Sequence, residues 1–599
     1  MEKFKNRKEV PEKYKWNLSD FFKSEQDYND ALQECKLLID KLSNYNDCVH
    51  DAVKLFDYLN LQTEVESLCE ALYGYACLKN DEELGISENL ERKNKIEKLC
   101  VELENRTSFF APSLLMLSKE EYNNLFKENE KLNVYKFYLD IIYKEKEHIL
   151  SEKEENIVSE LIASMNHFEE MSLAMINNEH DYGKVKLLDG TEEVIAPNNY
   201  RKLLQIEDES IRKQVYNSFN KVLDQYGVSS ASFLNGFVNM CNSIAKIHNY
   251  KSSWHQKLNG LNLSGNVFKT LSSTIENNVS YYHKFLKLKK KIFNKERLNS
   301  YDLYQKLSSS KKEYSIEDAQ SMVKEALRPL GEDYIKKYDI IINNNHIDYC
   351  QYKGKYNGGY ALITTTHNPR ILMNYNYDMD SISTIAHEAG HHIHQQYINE
   401  NNPLQYRQIS LLVAEVASLT NECLLSKYIL NNSKNNIEKQ VGLENIINVI
   451  ENNLYGAVRE AKMEEDMYNL VLSGGVITKE YMDELTISSK KKYYGDNVIL
   501  DEYIKNGWIT RNHYYMNFYL YNYAISVCVA INVADEILAG NKEMLDNYKK
   551  FLSHGADIWP YEAFKILGID LEDKKVYERA TKYFGDLIDQ YNELLEEEK

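Results

Sequence analysis

Proline and glycine are scarce in this chain: seven prolines and 23 glycines among 599 residues. A chain of strands needs a turn signal roughly every ten residues, so the scarcity excludes an all-β fold and predicts long uninterrupted helices. Cysteine is sparse too, nine residues at 35, 48, 69, 77, 100, 241, 350, 423 and 528, never spaced as CxxC. That pattern excludes a disulfide framework or a cysteine-based zinc site and predicts reduced thiols. No apolar run approaches the roughly 20 residues of a membrane span. The first stretch, MEKFKNRKEVPEKYKWNLSDFF, has basic residues with no apolar segment behind them, unlike a secretory signal. A cytoplasmic protein is expected. Positive charge is in deficit, 72 Lys and Arg against 91 Asp and Glu, for a net charge of −19. Such a chain repels phosphate backbones and anionic lipid surfaces, so neither nucleic acid nor membrane is an expected partner.

What the chain does contain is core material: 43% apolar residues, with 47 tyrosines among the aromatics. It is globular, and far too long for one compact core. From Ser24 to about Glu179 the apolar residues recur at helical period, as in Val53, Leu55, Phe56, Leu59, Leu61, Val65, Leu68 and Leu72. DYGKVKLLDGTEEVIAP, 181 to 197, breaks that period around Asp189-Gly190 and predicts a hairpin. The domain boundary is placed near residue 200, giving an N-terminal helical lobe over 1–200 and a catalytic domain over 201–599. Helical periodicity then returns to about Leu330, and the basic run FLKLKKKIFNKERL within it reads as a solvated helix face. Residues 346 to 378, β-branched and aromatic with Gly354, Gly358, Gly359 and Pro369 between them, predict two or three short strands. The fold expected is mainly α with this small β region.

Directly after the strands comes IAHEAGHHIHQQ, 385 to 396, four histidines and a glutamate in twelve positions. Asp380 or Ser381 can cap a helix here. His387 and His391 are four apart, so their imidazoles lie one above the other, and Glu388 sits about 100 degrees round the helix. This is HExxH. Two neutral imidazoles suit Zn²⁺, which acidifies a water while a carboxylate takes its proton during attack on a carbonyl. Glu388 is the candidate general base. The pattern arises by chance in about 4% of chains of this composition, so a metal site also needs a third ligand.

His394 is within reach on the same helix, but three imidazoles at i, i+4 and i+7 lie nearly in a line and surround a tetrahedral ion poorly. Glu415 lies in QISLLVAEVASLTNECLL, where a lone carboxylate is costly to bury without a partner. It is the favoured ligand, leaving His394 beside the site or at the surface and His392 solvated. Glu422, seven residues on, either accepts the second N–H of a zinc imidazole or is a surface carboxylate near a helix end.

HEAGHHIH followed by VAEVASLTNE resembles the zinc signature of the thimet oligopeptidase family of metallopeptidases. RKEVPEKYKWNLSDFF at 7 to 22, KYNGGYALITTTHNPRILMNYN, and HYYMNFYLYNYA at 513 to 524 resemble the oligoendopeptidase F branch of that family. The resemblance runs from about residue 7 to about 580. It implies a large two-lobed helical zincin whose lobes close around a deep central channel, with one Zn²⁺ at His387, His391 and Glu415. It implies an endopeptidase acting on internal bonds of short unfolded oligopeptides. It also implies that a histidine and tyrosines of the C-terminal region donate hydrogen bonds to substrate and oxyanion.

On a helix headed by His513 and ended by Gly540, Tyr514, Phe518 and Tyr521 share one face while Tyr515, Tyr519 and Tyr523 share another. The roles go to His513, Tyr514 and Tyr521. The strand between Tyr360 and Asn374, with Gly358 and Gly359 before it, could take a peptide as an added strand; here GGY stands where the resemblance leads one to expect glycine-alanine-tyrosine. The alternative is a zinc carboxypeptidase or dipeptidase on a related scaffold, with Arg511 positioned to grip a C-terminal carboxylate. The sequence sets no oligomeric state.

Overall fold

The computed structural model describes residues 4–163, 166–308, 310 and 312–597. It is mainly helical with two small sheets, as expected. By packing, the chain forms two compact units, each assembled from three stretches. The first comprises Met1–Glu155, Lys312–Tyr428 and Val533–Ile569; the second comprises Asn156–Lys311, Ile429–Asn532 and Asp570–Lys599. Among the described residues no helix is long and apolar enough to cross a membrane.

In the first unit, α1 (Glu25–Leu42), α2 (Ala52–Glu82) and α3 (Ser87–Thr107) pack a core that includes Ile39, Leu55, Leu72 and Ile96. Each of α1 and α2 starts on a side-chain cap, Ser24 accepting from the Asp27 amide and Asp51 from those of Val53 and Lys54. In the second unit, β1 (Lys184–Lys186) and β2 (Glu192–Val194) form the expected antiparallel hairpin. Gly190, at φ +89°, turns it, and a β-carbon in that conformation would be strained. The hairpin is tied to the long α4 (Glu209–Ile247), whose Ser218 hydroxyl donates to the Tyr182 carbonyl at 2.7 Å.

The strand-rich stretch forms a three-stranded sheet in the first unit. β3 (Ile347–Asp348) runs parallel to β5 (Arg370–Leu372), and β4 (Tyr360–Leu362) runs antiparallel on the other side of β5. β4 is therefore an edge. Residues 7 to 22 lock this sheet to the helices. Arg7 pairs with Asp348 at 2.5 Å and with Glu82 at 3.0 Å, Arg370 pairs with Asp20, and the Arg370 Nε donates to the Asn17 carbonyl at 2.8 Å. Lys355, fully buried, answers the second oxygen of Asp348 at 2.7 Å, so each of these buried charges has a partner.

Candidate metal centre

The histidine segment lies on α5 (Met379–Asn401) and Glu415 on α6 (Leu411–Asn432). The cap of α5 is Asp378, whose carboxylate accepts from the Ser381 amide at 2.9 Å; the expected Asp380 and Ser381 are already inside the first turn. The two helices approach until backbone meets backbone. A β-carbon on Gly390 would lie 2.5 Å from Ser418 Cα and 2.7 Å from Ser418 N. Only glycine permits that approach. Asn421 of α6 donates to the Ala386 carbonyl of α5 at 3.0 Å and accepts from the Tyr334 hydroxyl at 2.8 Å.

This packing brings His387, His391 and Glu415 together, one ligand atom from each lying within 4.8 Å of the others. Glu415 Oε2 is 3.4 Å from His387 Nε2 and 3.6 Å from His391 Nε2. Ligands of a tetrahedral ion with bonds near 2.0–2.1 Å stand about 3.3 Å apart, so the trio fits one zinc-sized ion. Glu415 is 7% exposed, and Ser418 donates to its Oε2 at 3.1 Å. Burial would raise its carboxyl, but the two imidazoles hold it at about 2. Burial pushes His391 down to about 4, the neutral form a ligand needs. His387, also depressed by burial, is carried well above its ordinary value by Glu415 and Glu422. That opposition marks a pocket with carboxylate charge in excess, one that a dication would balance.

Glu422 lies behind the trio. His387 Nδ1 meets its Oε1 at 2.7 Å, and the Ser383 hydroxyl donates to its Oε2 at 2.7 Å. It is buried, which settles the alternatives in favour of an imidazole partner and leaves Nε2 of His387 facing Glu415. Glu388, 8% exposed, has its carboxyl raised to about 7, chiefly by burial and further by Glu415 and Glu422, while the backbone of Ala361 in β4 and His387 restrain the rise. A carboxylate of such affinity can both accept and return a proton near neutral pH.

Of the remaining two histidines, His392 corrects the expectation, and His394 is not at the surface. His392 is fully buried, not solvated: it lies against His346 with Nε2 2.8 Å from His346 Nδ1, and Gln396 donates to its Nδ1 at 3.0 Å. It ties α5 to the residue preceding β3. His394 is also fully buried, stacked on Phe551, with neither ring nitrogen hydrogen bonded among the described residues.

The segment from 513 belongs to the second unit. A single helix headed by His513 does not form: Asn512–Tyr515 is a 3₁₀ turn, Asn517 and Phe518 have φ of 45° and 58°, and α7 (Tyr521–Leu538) starts only at Tyr521. Gly540, at φ +83°, ends α7 as expected, with its amide on the Ile537 carbonyl and that of Asn541 on the Glu536 carbonyl. Tyr514 and Tyr521 are each 1% exposed. The Tyr514 hydroxyl donates to Glu460 at 2.5 Å, and Tyr521 packs on Trp254 and Phe268. Within the segment the partly accessible tyrosines are Tyr515, Tyr519 and Tyr523. The hydroxyls of Tyr519 and Tyr523 are 2.9 Å apart, and the Tyr519 ring lies beside His513.

The sequence model of Peptidase family M3 matches residues 202–583, and that of Oligopeptidase F matches residues 114–178. The chain is 29% identical to Oligopeptidase PepF of Bacillus subtilis over 98% of its own length and 88% of that protein. It is 27% identical to the plasmid Oligoendopeptidase F of Lactococcus lactis over 99% of both. The fold is similar to the crystal structure of oligoendopeptidase-F from Enterococcus faecium, with a TM-score of 0.76 at 24% identity over 96% of this chain and 99% of that one. The chain belongs to Peptidase family M3.

Proposed function

We propose that this peptidase is a zinc-dependent, cytoplasmic endopeptidase that cleaves internal bonds of short unfolded oligopeptides. The observation that carries the reading is the trio His387, His391 and Glu415 at tetrahedral spacing, with Glu388 next to it on the same helix. Bound there, zinc would supply Lewis acidity toward the scissile carbonyl and lower the pKa of a water. Glu388 takes the proton of the attacking water at its carboxylate and passes it to the leaving amine nitrogen. Glu422 fixes the tautomer of His387. The catalytic domain is residues 201–599; in support, the two family matches end at 178 and begin at 202.

The edge of β4 is the proposed peptide-binding strand. Its backbone reaches Glu388 through Ala361, and added-strand pairing recognises backbone without regard to side chains, which suits broad specificity. A β-carbon at Gly359 would meet only ordinary contacts, 3.5 Å from Thr384 Cγ2 and 3.6 Å from the Leu372 carbonyl, so alanine would fit there too. His513 is proposed to donate to substrate, with Tyr514 and Tyr521 assigned beside it; Tyr514 acts by holding Glu460. A quenched fluorescent peptide amidated at its C-terminus separates the readings. Internal cleavage that stops on chelation and returns with zinc supports the endopeptidase. Cleavage only of the free acid, from its C-terminal end, would make the enzyme a carboxypeptidase.

A further inference from the structure

Beside the 3₁₀ turn of His513, the second unit encloses a cavity of about 280 Å³. Four cationic side chains line it, Arg201, Arg459, Lys490 and Arg511, and among the lining residues Glu460 is the single acidic one. Two of the four cations are spoken for. Arg459 donates to Glu460 Oε1 at 3.0 Å, and Lys490 donates to the Ile504 carbonyl at 2.6 Å. The other two are held more loosely. The Arg511 side chain makes no hydrogen bond among the described residues and has only a long ion pair. Its Nε is buried and 3.7 Å from Glu460 Oε2, the oxygen that already accepts from Tyr514. Arg201 makes none either and rests over the Tyr304 ring, 5.5 Å from its centroid.

The cavity wall thus carries four cations against one carboxylate. Burial first, then Arg459 and Arg511, lower the Lys490 ammonium to about 8 against the opposing pull of Glu460 and Asp501. Guanidinium groups offer paired donors matched to a carboxylate. The rest of the wall is partly apolar, with Leu173, Ile176 and Phe219, which suits an organic body rather than a bare inorganic anion.

We propose that this cavity is a binding site for the carboxylate of a small organic acid, held by Arg511 and Arg201 with its apolar body against Leu173, Ile176 and Phe219. The acid could be free, or it could be the C-terminal residue of a peptide. Calorimetric titration of the full-length, metal-loaded protein distinguishes these sources and needs no turnover, so its outcome does not depend on the peptidase reading. The probes are isovalerate, N-acetyl-leucine, N-acetyl-leucine amide and inorganic phosphate.

Isovalerate and N-acetyl-leucine should both bind if the occupant is a free acid, whereas N-acetyl-leucine alone should bind if it is a peptide C-terminus. In either case the amide should not bind. Loss of one charged hydrogen-bonding group should weaken binding by about tenfold to a hundredfold in Arg511→Gln and in Arg201→Gln. Arg201 is exposed on a short helix, so its variant should fold even if Arg511→Gln does not. Chelation of the metal should leave the affinity unchanged. Binding of the amide equal to that of the acid, binding of phosphate alone, or acid binding indifferent to Arg201→Gln would overturn the proposal.

Discussion

Gly390 faces the backbone of Ser418 so closely that a β-carbon would lie 2.5 Å from Ser418 Cα. The candidate metal ligands on α5 and α6 can share one ion only because this contact is bare. Gly390→Ala must push the helices apart or distort them. We expect a loss of about 1 to 3 kcal/mol in stability, together with a stoichiometric metal content falling well below one. Denaturant unfolding and metal analysis on the same preparation check both. A variant that held metal normally would show that the close approach does not position the ligands.

Glu422→Gln keeps the shape of the side chain and its contact with Ser383 but removes the charge that orients His387. Metal affinity, read by competition with a chromophoric chelator, should drop about tenfold to a hundredfold. An unchanged affinity would reduce Glu422 to a packing residue.

His394→Leu tests the ligand that was set aside. The imidazole is fully buried without a hydrogen-bond partner among the described residues, and burial holds its pKa at about 3. An unsatisfied buried polar group costs about 1 to 3 kcal/mol, so the variant should be as stable as wild type or more so, with its metal retained. Metal loss would make His394 a ligand after all.

Much of the candidate metal centre was legible because it is local. His387, His391 and Glu388 follow from helical spacing, and Glu415 and Glu422 from carboxylates placed in an apolar helix. The hairpin at Asp189-Gly190 and the strands around 360 and 370 were equally legible from turn residues and β-branched runs. What escaped needed partners distant in sequence. His392 is buried through His346, 46 positions earlier, and the reason for Gly390 is Ser418. The 513 segment escaped for another cause: Phe518 adopts φ 58°, a conformation bulky residues rarely take. Helical spacing therefore could not order the tyrosines there.

That kink leads to a prediction about pH. The Phe518 amide donates at 2.7 Å to Glu464, which is fully buried with its second oxygen unpartnered among the described residues. Burial raises this carboxyl to about 8. The folded state therefore holds the proton more tightly than the unfolded one, so this contribution to stability is complete below about pH 4.5 and is lost as pH rises through 8. Glu464→Gln keeps an acceptor for Phe518 without a charge. It should raise Tm relative to wild type at pH 8, by the equivalent of roughly 2 to 5 kcal/mol, and much less at pH 5. A pH-independent difference would contradict the burial argument.

We propose that His387, His391 and Glu415 hold one metal ion while Glu388 moves the proton. Wild type and Glu388→Gln are compared in turnover of an internally quenched peptide, with zinc content measured on both. Full zinc is expected in both proteins, with turnover reduced by about a hundredfold to ten-thousandfold in the variant. Undiminished turnover with full zinc would remove Glu388 from the chemistry, and zinc absent from the wild-type protein would remove the metal centre.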